Sequence, residues 1–285
     1  MNIFITSLMH PSTAKDFESV KSNFLLNLKS VCGQSNQDFK YIVVCNEIPE
    51  INFERSNIEY FVVDFPPLAY DDTKGKRQDK AAKLVVGLLF AKNFDPDYVY
   101  FCDADDWVVG NINEFLVNNS SDTGFLVNKG YFVDVNKRKY LTKFGLYRFC
   151  GSTHAIKYSL LIKLLGLDSM SLSVTSTKQT ILDLLSDYVI FSVLDGHGYK
   201  KFFKDKGFSF DSFPFAAVAW VRNTGNNIRE DAQHVPGLAI TERILNKFSL
   251  QSFGPISKNS ITDYLRFFKL ATVSWFGNKV KGDHR

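Results

Sequence analysis

Short continuous apolar runs alternate with segments of helical spacing along the first hundred residues. Between these runs, apolar residues recur every three or four positions at 17–31 and 77–92, which predicts amphipathic helices. Continuous apolar strands that alternate with helices are typical of a parallel sheet covered on both faces. The pattern therefore predicts an α/β fold with a central, mostly parallel sheet. The apolar runs lie at 3–7, 40–45, 58–63 and 98–102.

The pattern is less regular after residue 110. We expect strands at 124–128, 131–135 and 216–221 there. Apolar residues at helical spacing predict helices at 155–165, 181–194, 241–248 and 261–270. We therefore divide the chain into an α/β domain at 1–240 and a C-terminal helical extension at 241–285.

Composition narrows the class of protein. The chain has 285 residues, of which 45% are hydrophobic and 22% charged, as in ordinary globular domains. Its net charge of +4 is spread along the chain, which argues against nucleic-acid binding and suits a polyanionic small molecule. The four cysteines lack the spacing of a metal knuckle or a redox pair, which favours a reduced, cytoplasmic setting. We expect neither a signal peptide nor a membrane span.

Three carboxylates crowd into four positions directly after the apolar run at 98–102. They are Asp103, Asp105 and Asp106. In open α/β sheets, ligands collect outside the carboxyl ends of the strands, which is where this cluster is expected. A divalent cation would relieve the like-charge repulsion, and Mg²⁺ or Mn²⁺ keeps positions open for phosphate oxygens. The alternative is a solvated acidic turn. We predict that this cluster binds a divalent metal, with Asp103, Asp105 and Asp106 as candidate ligands.

This motif and the elements before it resemble those of a known superfamily. The order of strand, helix, strand, strand, basic helix and apolar strand ending in Asp-x-Asp resembles bacterial GT-A glycosyltransferases over roughly residues 1–130. In that superfamily the motif binds a metal and the diphosphate of a nucleotide sugar. Some members use the first and third Asp, here Asp103 and Asp105. Others use an adjacent pair, here Asp105 and Asp106.

The resemblance implies a Rossmann-like GT-A fold, with a nucleotide-binding half at 1–110 and an acceptor-binding half at 111–240. It implies a metal-dependent hexosyltransferase that uses Mn²⁺ or Mg²⁺. The donor would be a nucleoside-diphosphate sugar, with a UDP-sugar as first choice. The acceptor would be a hydroxyl of a glycan or glycolipid, in the synthesis of a cell-surface polysaccharide.

The same resemblance suggests the residues that contact the nucleotide sugar. They are Thr6 and Ser7 at the nucleoside, Arg77 and Lys80 at phosphate, Asp79 at the ribose or beside a lysine, and Ala104, with Asp103, at the diphosphate. Three of them also have a purely structural interpretation. Asp79 and Lys83 have the spacing of an exposed ion pair on a helix. Thr6 and Ser7 could be ordinary turn hydroxyls.

Three polar loops in the second half of the chain could complete the site. The small-residue loop before 155–165 offers Ser152 to a sugar, and His154 to a sugar hydroxyl, although Ser152 could instead cap a helix. His197, in a glycine-flanked turn, is a candidate metal ligand or a structural turn residue. Asn226 lies in an amide-rich loop that suits sugar binding or a plain turn.

An inverting transferase also needs a carboxylate base on the acceptor side. Asp195 and Asp187 are the first candidates, and Asp183 and Asp211 are further ones. The sequence does not choose among them.

Two alternatives to a transferase remain at this point. A sugar-phosphate nucleotidyltransferase usually has a glycine-rich loop after its first strand, and 7–13 contains no glycine. A non-catalytic carbohydrate-binding protein with a degenerate metal site is the other alternative.

The last segment of the sequence is rich in aromatic and basic residues. The aromatic segments at 264–269 and 275–276, with later lysines, suit peripheral contact with the inner face of a membrane or a terminal helix packed on the domain.

Overall fold

The computed structural model describes residues 1–222, 224, 237–251 and 259–282. The helices are α1 Phe17–Cys32, α2 Thr73–Ala91, α3 Ile112–Asn118, α4 Tyr158–Leu165, α5 Lys178–Leu184, α6 Tyr199–Lys204, α7 Glu242–Lys247 and α8 Ile261–Gly282. The strands are β1 Asn2–Ser7, β2 Phe39–Cys45, β3 Ile58–Val62, β4 Tyr98–Phe101, β5 Trp107–Val108, β6 Gly124–Leu126, β7 Lys129–Asp134, β8 Lys139–Phe144, β9 His154–Lys157, β10 Asp211–Ser212, β11 Val218–Arg222 and β12 Leu238–Ala239.

A seven-stranded sheet forms the centre of the molecule, in the order β10-β6-β9-β4-β1-β2-β3. Its strands run in one direction except for β9, which is antiparallel to both of its neighbours. Successive side chains of a strand point to opposite faces. Accordingly, Phe4 packs in a cluster with α1 and α3, whereas Ile3 and Ile5 pack in a cluster with α2 and α4. The prediction of a mostly parallel sheet flanked by helices is confirmed.

A second sheet, in the order β12-β8-β7-β11-β5, packs into the same core cluster as α1. Helix α7 joins this cluster through Leu245, and Phe248 follows directly after it. Helix α8 lies along β8, where the Ser274 hydroxyl accepts a hydrogen bond of 3.0 Å from the Phe144 amide. No helix in the described part of the chain combines the length and the apolar character needed to cross a membrane.

Two of the predicted helices are shortened or interrupted in the structure. The helix expected at 155–165 begins only at Tyr158, because 154–157 form β9 between β4 and β6. Both edges of this segment are hydrogen-bonded to strands, and this tertiary pairing overrides its local helical spacing. The helix expected at 181–194 is interrupted: α5 ends at Leu184, and a π-helical turn follows at Val189–Val193.

His154 is buried in an aromatic cluster. Its ring lies 5.1 Å from that of Tyr199 and 5.2 Å from that of Phe210, between ring centroids. Only 1% of the residue is exposed, so His154 does not reach a sugar as predicted. Burial, and secondarily His197 and Lys200, lower the pKa of His154 to about 3.

This burial predicts a pH dependence of stability. The pKa of His154 is about 3 in the folded protein and near the ordinary histidine value of 6.5 when the chain is unfolded, so the unfolded chain binds more protons between these values. The free energy of unfolding should therefore fall as pH falls, with a contribution from His154 of about 1.4 kcal/mol per pH unit within that window. His154→Phe, which keeps an aromatic ring in the cluster, should lose less stability in urea titrations between pH 6.5 and 4. An unchanged slope would contradict this assignment.

Candidate functional site

The main cavity lies where the strand order reverses. Strands β2 and β3 continue to one side of β1, and the chain then returns to place β4 on its other side. Loops that leave adjacent strands in opposite senses open a crevice at the carboxyl ends of those strands. The cavity is lined there by residues after β1, residues after β4, one face of α2 and loops from the second half of the chain. The lining includes Ser7, Lys76, Arg77, Asp79, Lys80, Asp103, Ala104, Asp105, Gly151, Asp195 and His197.

Hydrogen bonds within the turn and from α1 fix the acidic turn after β4. The Asp106 amide donates to the Asp103 carbonyl at 3.0 Å and closes the turn. The Asn27 side chain, from α1, donates to the carbonyls of Asp103 and Asp106 at 3.1 and 2.8 Å. The Tyr41 hydroxyl in turn donates to the Asn27 amide oxygen at 2.5 Å. These contacts fix the backbone from which Asp103 and Asp105 face the cavity.

Asp106 has a different role from its two neighbours. It is fully buried and does not line the cavity. One of its oxygens accepts from the Val221 amide at 2.9 Å, and the other accepts from the Ser152 hydroxyl at 2.6 Å and the Cys150 thiol at 3.1 Å. Burial, followed by Asp105 and Asp103, raises the pKa of Asp106 well above its usual range. Asp106 thus joins segments of the protein that are distant in sequence. It does not face the cavity, as the predicted metal ligand would.

Ser152 belongs to the same buried network. Its hydroxyl accepts from the Asp103 amide at 2.7 Å while it donates to Asp106, and its carbonyl accepts from the Tyr100 hydroxyl at 2.6 Å. Ser152 is fully buried and lies outside the cavity lining. It therefore orients the acidic turn, and the expected sugar contact is corrected to this supporting role.

Lys80 and Asp103 form an ion pair on the cavity wall, with 2.5 Å between Nζ and Oδ1. Burial disfavours the charged amine of Lys80, but Asp103 and Asp195 outweigh it and raise the pKa of Lys80. Gly151 lies against this pair, because a Cβ at that position would be 2.9 Å from Asp103 Oδ2 and 3.4 Å from Lys80 Nζ. The small residue there leaves the two charged groups room to meet.

Arg77 connects α2 to the turn that follows the π-helical segment. Its guanidinium donates to the Asp195 carboxylate at 3.0 Å and to the Phe191 carbonyl. His197 Nε2 lies 3.9 Å from the same Asp195 oxygen. At Gly196 the chain has φ +93° and passes so near Gly151 that a Cβ would be 2.4 Å from its Cα. Only glycine fits this approach, which keeps Asp195 and His197 at the cavity.

Asp79 and Lys83 form a buried pair, and the exposed helix pair considered from the sequence is excluded. The Lys83 amine lies 2.7 Å from Asp79 Oδ2 and is fully buried, and Lys178 approaches Asp79 Oδ1 at 3.6 Å. Lys83 also donates to the Leu8 carbonyl at 2.8 Å, and Leu8 lines the cavity. Burial is the largest cause that lowers the pKa of Lys83. Asp79 thus lines the cavity and also orders a lysine that fixes the loop after β1.

The start of α2 differs from the expectation. The helix begins at Thr73, one turn before Arg77, and the Asp72 side chain accepts from the Gly75 amide at 2.8 Å. Asp72 therefore caps the helix end, and its carboxylate takes the place of an external anion there. The charged groups of α2 on the cavity are side chains instead, chiefly Lys76, Arg77 and Lys80.

Two aromatic residues also line the cavity and form an aromatic wall. The rings of Phe149 and Trp220 are stacked, with centroids 6.3 Å apart and planes 22° apart. The Arg222 guanidinium lies 4.7 Å from the Trp220 ring centroid, and Arg222 is only 7% exposed. All three residues line the cavity. The sequence analysis missed them, although Trp220 and Arg222 are two positions apart in β11 and so share a face.

The remaining predicted residues divide between the cavity and other places. Ser7, Ala104, Asp195 and His197 line the cavity, whereas Thr6 is fully buried inside β1 and does not. Asp187, Asp183 and Asp211 are exposed and lie outside the lining, so a role for them at this cavity is not supported. Asn226 lies outside the described residues.

The donor set fits a divalent ion that is completed by its substrate. Within the described ranges, no three His, Cys, Asp or Glu side chains converge as a ready-made metal centre. Asp103 and Asp105 nevertheless both line the cavity. Mg²⁺ is commonly held by one or two carboxylates, with phosphate oxygens and water as its other ligands.

Comparisons with known proteins add little. No family model matches the chain. Among solved structures, the crystal structure of S. aureus TarS is similar with 11% sequence identity and a TM-score of 0.42. The match covers 78% of this chain and 37% of the TarS chain. A likeness at this level does not establish a common fold or activity.

Proposed function

We propose that the protein is a metal-dependent glycosyltransferase that moves a sugar from a nucleoside-diphosphate sugar to an acceptor hydroxyl. One observation carries the proposal: two carboxylates and two cations converge on a single cavity at the switch point between β1 and β4. Asp103 and Asp105 are the carboxylates, and Lys80 and Arg77 are the cations. This combination suits a diphosphate that is bound together with a divalent ion.

The chain's own residues would divide the work along the cavity. Lys80 and Arg77 would bind phosphate oxygens, and Asp103 and Asp105 would hold Mn²⁺ or Mg²⁺. The bound metal would supply Lewis-acid stabilisation of the departing diphosphate. Protein cations in a partly buried cavity would add to this stabilisation, because they interact more strongly with developing charge than they do in water.

Different parts of the cavity lining suit different parts of a nucleotide sugar. The end of β1 and the loop after it offer Ser7, Leu8 and His10, which suit the nucleoside. Phe149 and Trp220 offer aromatic faces to a sugar ring. Among the four carboxylates proposed as bases, Asp195 lines the cavity, so we assign it to the acceptor side or to the orientation of Arg77.

One further feature favours a transferase over a nucleotidyltransferase, and another bears on the compartment. The loop after β1 contains no glycine and forms a 3₁₀ turn at Pro11–Thr13, unlike the glycine-rich loop expected of a nucleotidyltransferase. The four cysteines are free and buried, which is consistent with a reducing cytoplasm, where we place the reaction. A glycan or glycolipid is the acceptor class that we propose.

The first experiment is a titration of nucleoside diphosphates against thermal stability, with and without Mn²⁺. UDP with Mn²⁺ should raise the melting temperature by several degrees, since ligand at 100 times its Kd stabilises by about 2.7 kcal/mol. Asp105→Asn should lose the Mn²⁺-dependent part and keep its fold. Asp187→Asn is the matched control on an exposed carboxylate outside the cavity, and it should respond as the wild type does. Metal-independent or absent stabilisation by every nucleoside diphosphate would reject the proposal.

The Lys80–Asp103 pair makes a second outcome specific to this cavity. A metal ion that binds alone has to displace Lys80 from Asp103 and leaves its charge uncompensated in a partly buried site. A diphosphate that binds alone takes Lys80 and leaves Asp103 uncompensated. When both bind, each of the two separated charges gains a new partner. Metal and diphosphate should therefore bind cooperatively.

Lys80→Met removes the amine that competes for Asp103. In the absence of nucleotide, this variant should bind Mn²⁺ roughly tenfold more tightly than the wild type, while its affinity for UDP with Mn²⁺ falls; tenfold corresponds to about 1.4 kcal/mol. Free Mn²⁺ is measured by electron paramagnetic resonance. Lys201→Met, on an exposed lysine that pairs with Asp205, is the control. Equal Mn²⁺ affinity in Lys80→Met and the wild type would contradict the exchange of partners.

A further inference from the structure

Helix α8 leaves an apolar face uncovered. Half of the large hydrophobic side chains that are exposed in the described part of the chain lie on this one helix. Leu265 is 66% exposed and Phe268 is 63% exposed. Positions three, four, seven and eight apart lie on one side of a helix, so these side chains share one side of α8, with Thr272 between Phe268 and Trp275. The stripe, called the α8 face below, consists of Ile261, Tyr264, Leu265, Phe268, Trp275 and Phe276.

The opposite side of α8 is fixed to the domain. The Phe267 ring packs edge-to-face on Tyr140 at 5.6 Å between centroids. Ser274 hydrogen-bonds the backbone of Phe144 in both directions, and the Asn278 amide donates to Asn128 at 3.1 Å. The helix is therefore docked through its polar and aromatic inner side, and the apolar outer side has a fixed orientation.

The charges of α8 are arranged asymmetrically. Asp263 is the single acidic residue of the helix. Its carboxylate accepts a hydrogen bond from the Ser260 amide at the start of the helix and lies 3.5 Å from the Lys139 amine. Arg266 and Lys269 are exposed beside the α8 face. The sequence of the helix contains two further lysines, at positions 279 and 281. An apolar stripe with Trp and Tyr, bordered by basic residues, matches the anionic interface of a bilayer.

We propose that the α8 face docks this protein on an anionic lipid surface, with the helix lying in the plane of the interface. The apolar side chains would enter the boundary between headgroups and acyl chains, and Arg266 and Lys269 would meet lipid phosphates. The proposal rests on α8 alone and does not depend on glycosyl transfer.

The contacts of α8 link this surface to the cavity. Asn128 accepts from Asn278 of α8 and from the Gly145 amide at 3.2 Å. The chain then passes through a 3₁₀ turn at Leu146–Arg148 to Phe149, which lines the cavity. Docking through α8 would therefore bring the aromatic wall near the lipid surface. A lipid-linked acceptor would be within reach there.

The test is co-sedimentation of the full chain with vesicles. Vesicles of phosphatidylcholine with phosphatidylglycerol should bind the protein, and vesicles of phosphatidylcholine alone should bind it more weakly. The double variant Leu265→Ser and Phe268→Ser should lower the partition coefficient tenfold or more, because two large apolar side chains no longer insert. Both positions are exposed, so its thermal unfolding should match that of the wild type.

Two controls make the result decisive. Ile48→Ser with Val117→Ser alters apolar side chains that are 49% and 52% exposed on other elements, and its vesicle binding should equal that of the wild type. Arg266→Gln with Lys269→Gln should reduce the preference for phosphatidylglycerol. The proposal is overturned if the α8 variant binds vesicles as the wild type does. It is also overturned if sedimentation velocity shows that a second copy covers the α8 face in a dimer that binds no vesicles.

Discussion

Asp106 joins parts of the chain that are distant in sequence, and the shape of the cavity depends on this buried carboxylate. It accepts hydrogen bonds from the Val221 amide of β11 and from the side chains of Ser152 and Cys150. The second sheet and the loop before β9 are thereby tied to the turn after β4. Leaving any one of these buried groups without a partner would cost about 1–3 kcal/mol. This network gives Asp103 and Asp105 a fixed base at the edge of the main sheet.

The charged side chains near the acidic turn form ion pairs. Lys80 pairs with Asp103, Arg77 pairs with Asp195, and Lys83 pairs with Asp79. The first two pairs lie on the cavity wall, so a ligand that carries both signs of charge can exchange partners with them. In the third pair Asp79 also lines the cavity, whereas the Lys83 amine is fully buried and holds the Leu8 carbonyl in place. We interpret the first two pairs as the binding groups of the proposed site and the third as its support.

Much of the first half of the fold could be predicted from periodicity, because its strands are continuous apolar runs and its helices are amphipathic. The acidic cluster at the end of β4 followed from the same pattern. The extent of β9 could not be predicted, since its strand state comes from pairing with β4 and β6 on both edges. The different role of Asp106 could not be predicted either, because only the folded chain brings Val221 and Ser152 into contact with it.

The aromatic part of the cavity lining could not be predicted from the sequence. Trp220 belongs to an apolar strand, where a large apolar side chain is more often part of a core than of a site, and Arg222 ends the same strand. Their place at the cavity depends on the pairing of β11 with β5 and β7. Conversely, Asp187 has the residue type required of a base, but its position on the surface removes it from the cavity.

The central claim is that Asp103 and Asp105 hold a divalent ion against a nucleoside diphosphate. Anomalous diffraction from crystals grown with Mn²⁺ and UDP tests this claim most directly, because it locates the metal without reference to activity. The account predicts one strong Mn²⁺ peak at about 2.1 Å from oxygens of Asp103 and Asp105, with the diphosphate completing the coordination and contacting Lys80. A peak on Asp106, a metal remote from this cavity, or UDP bound there with no metal would contradict it.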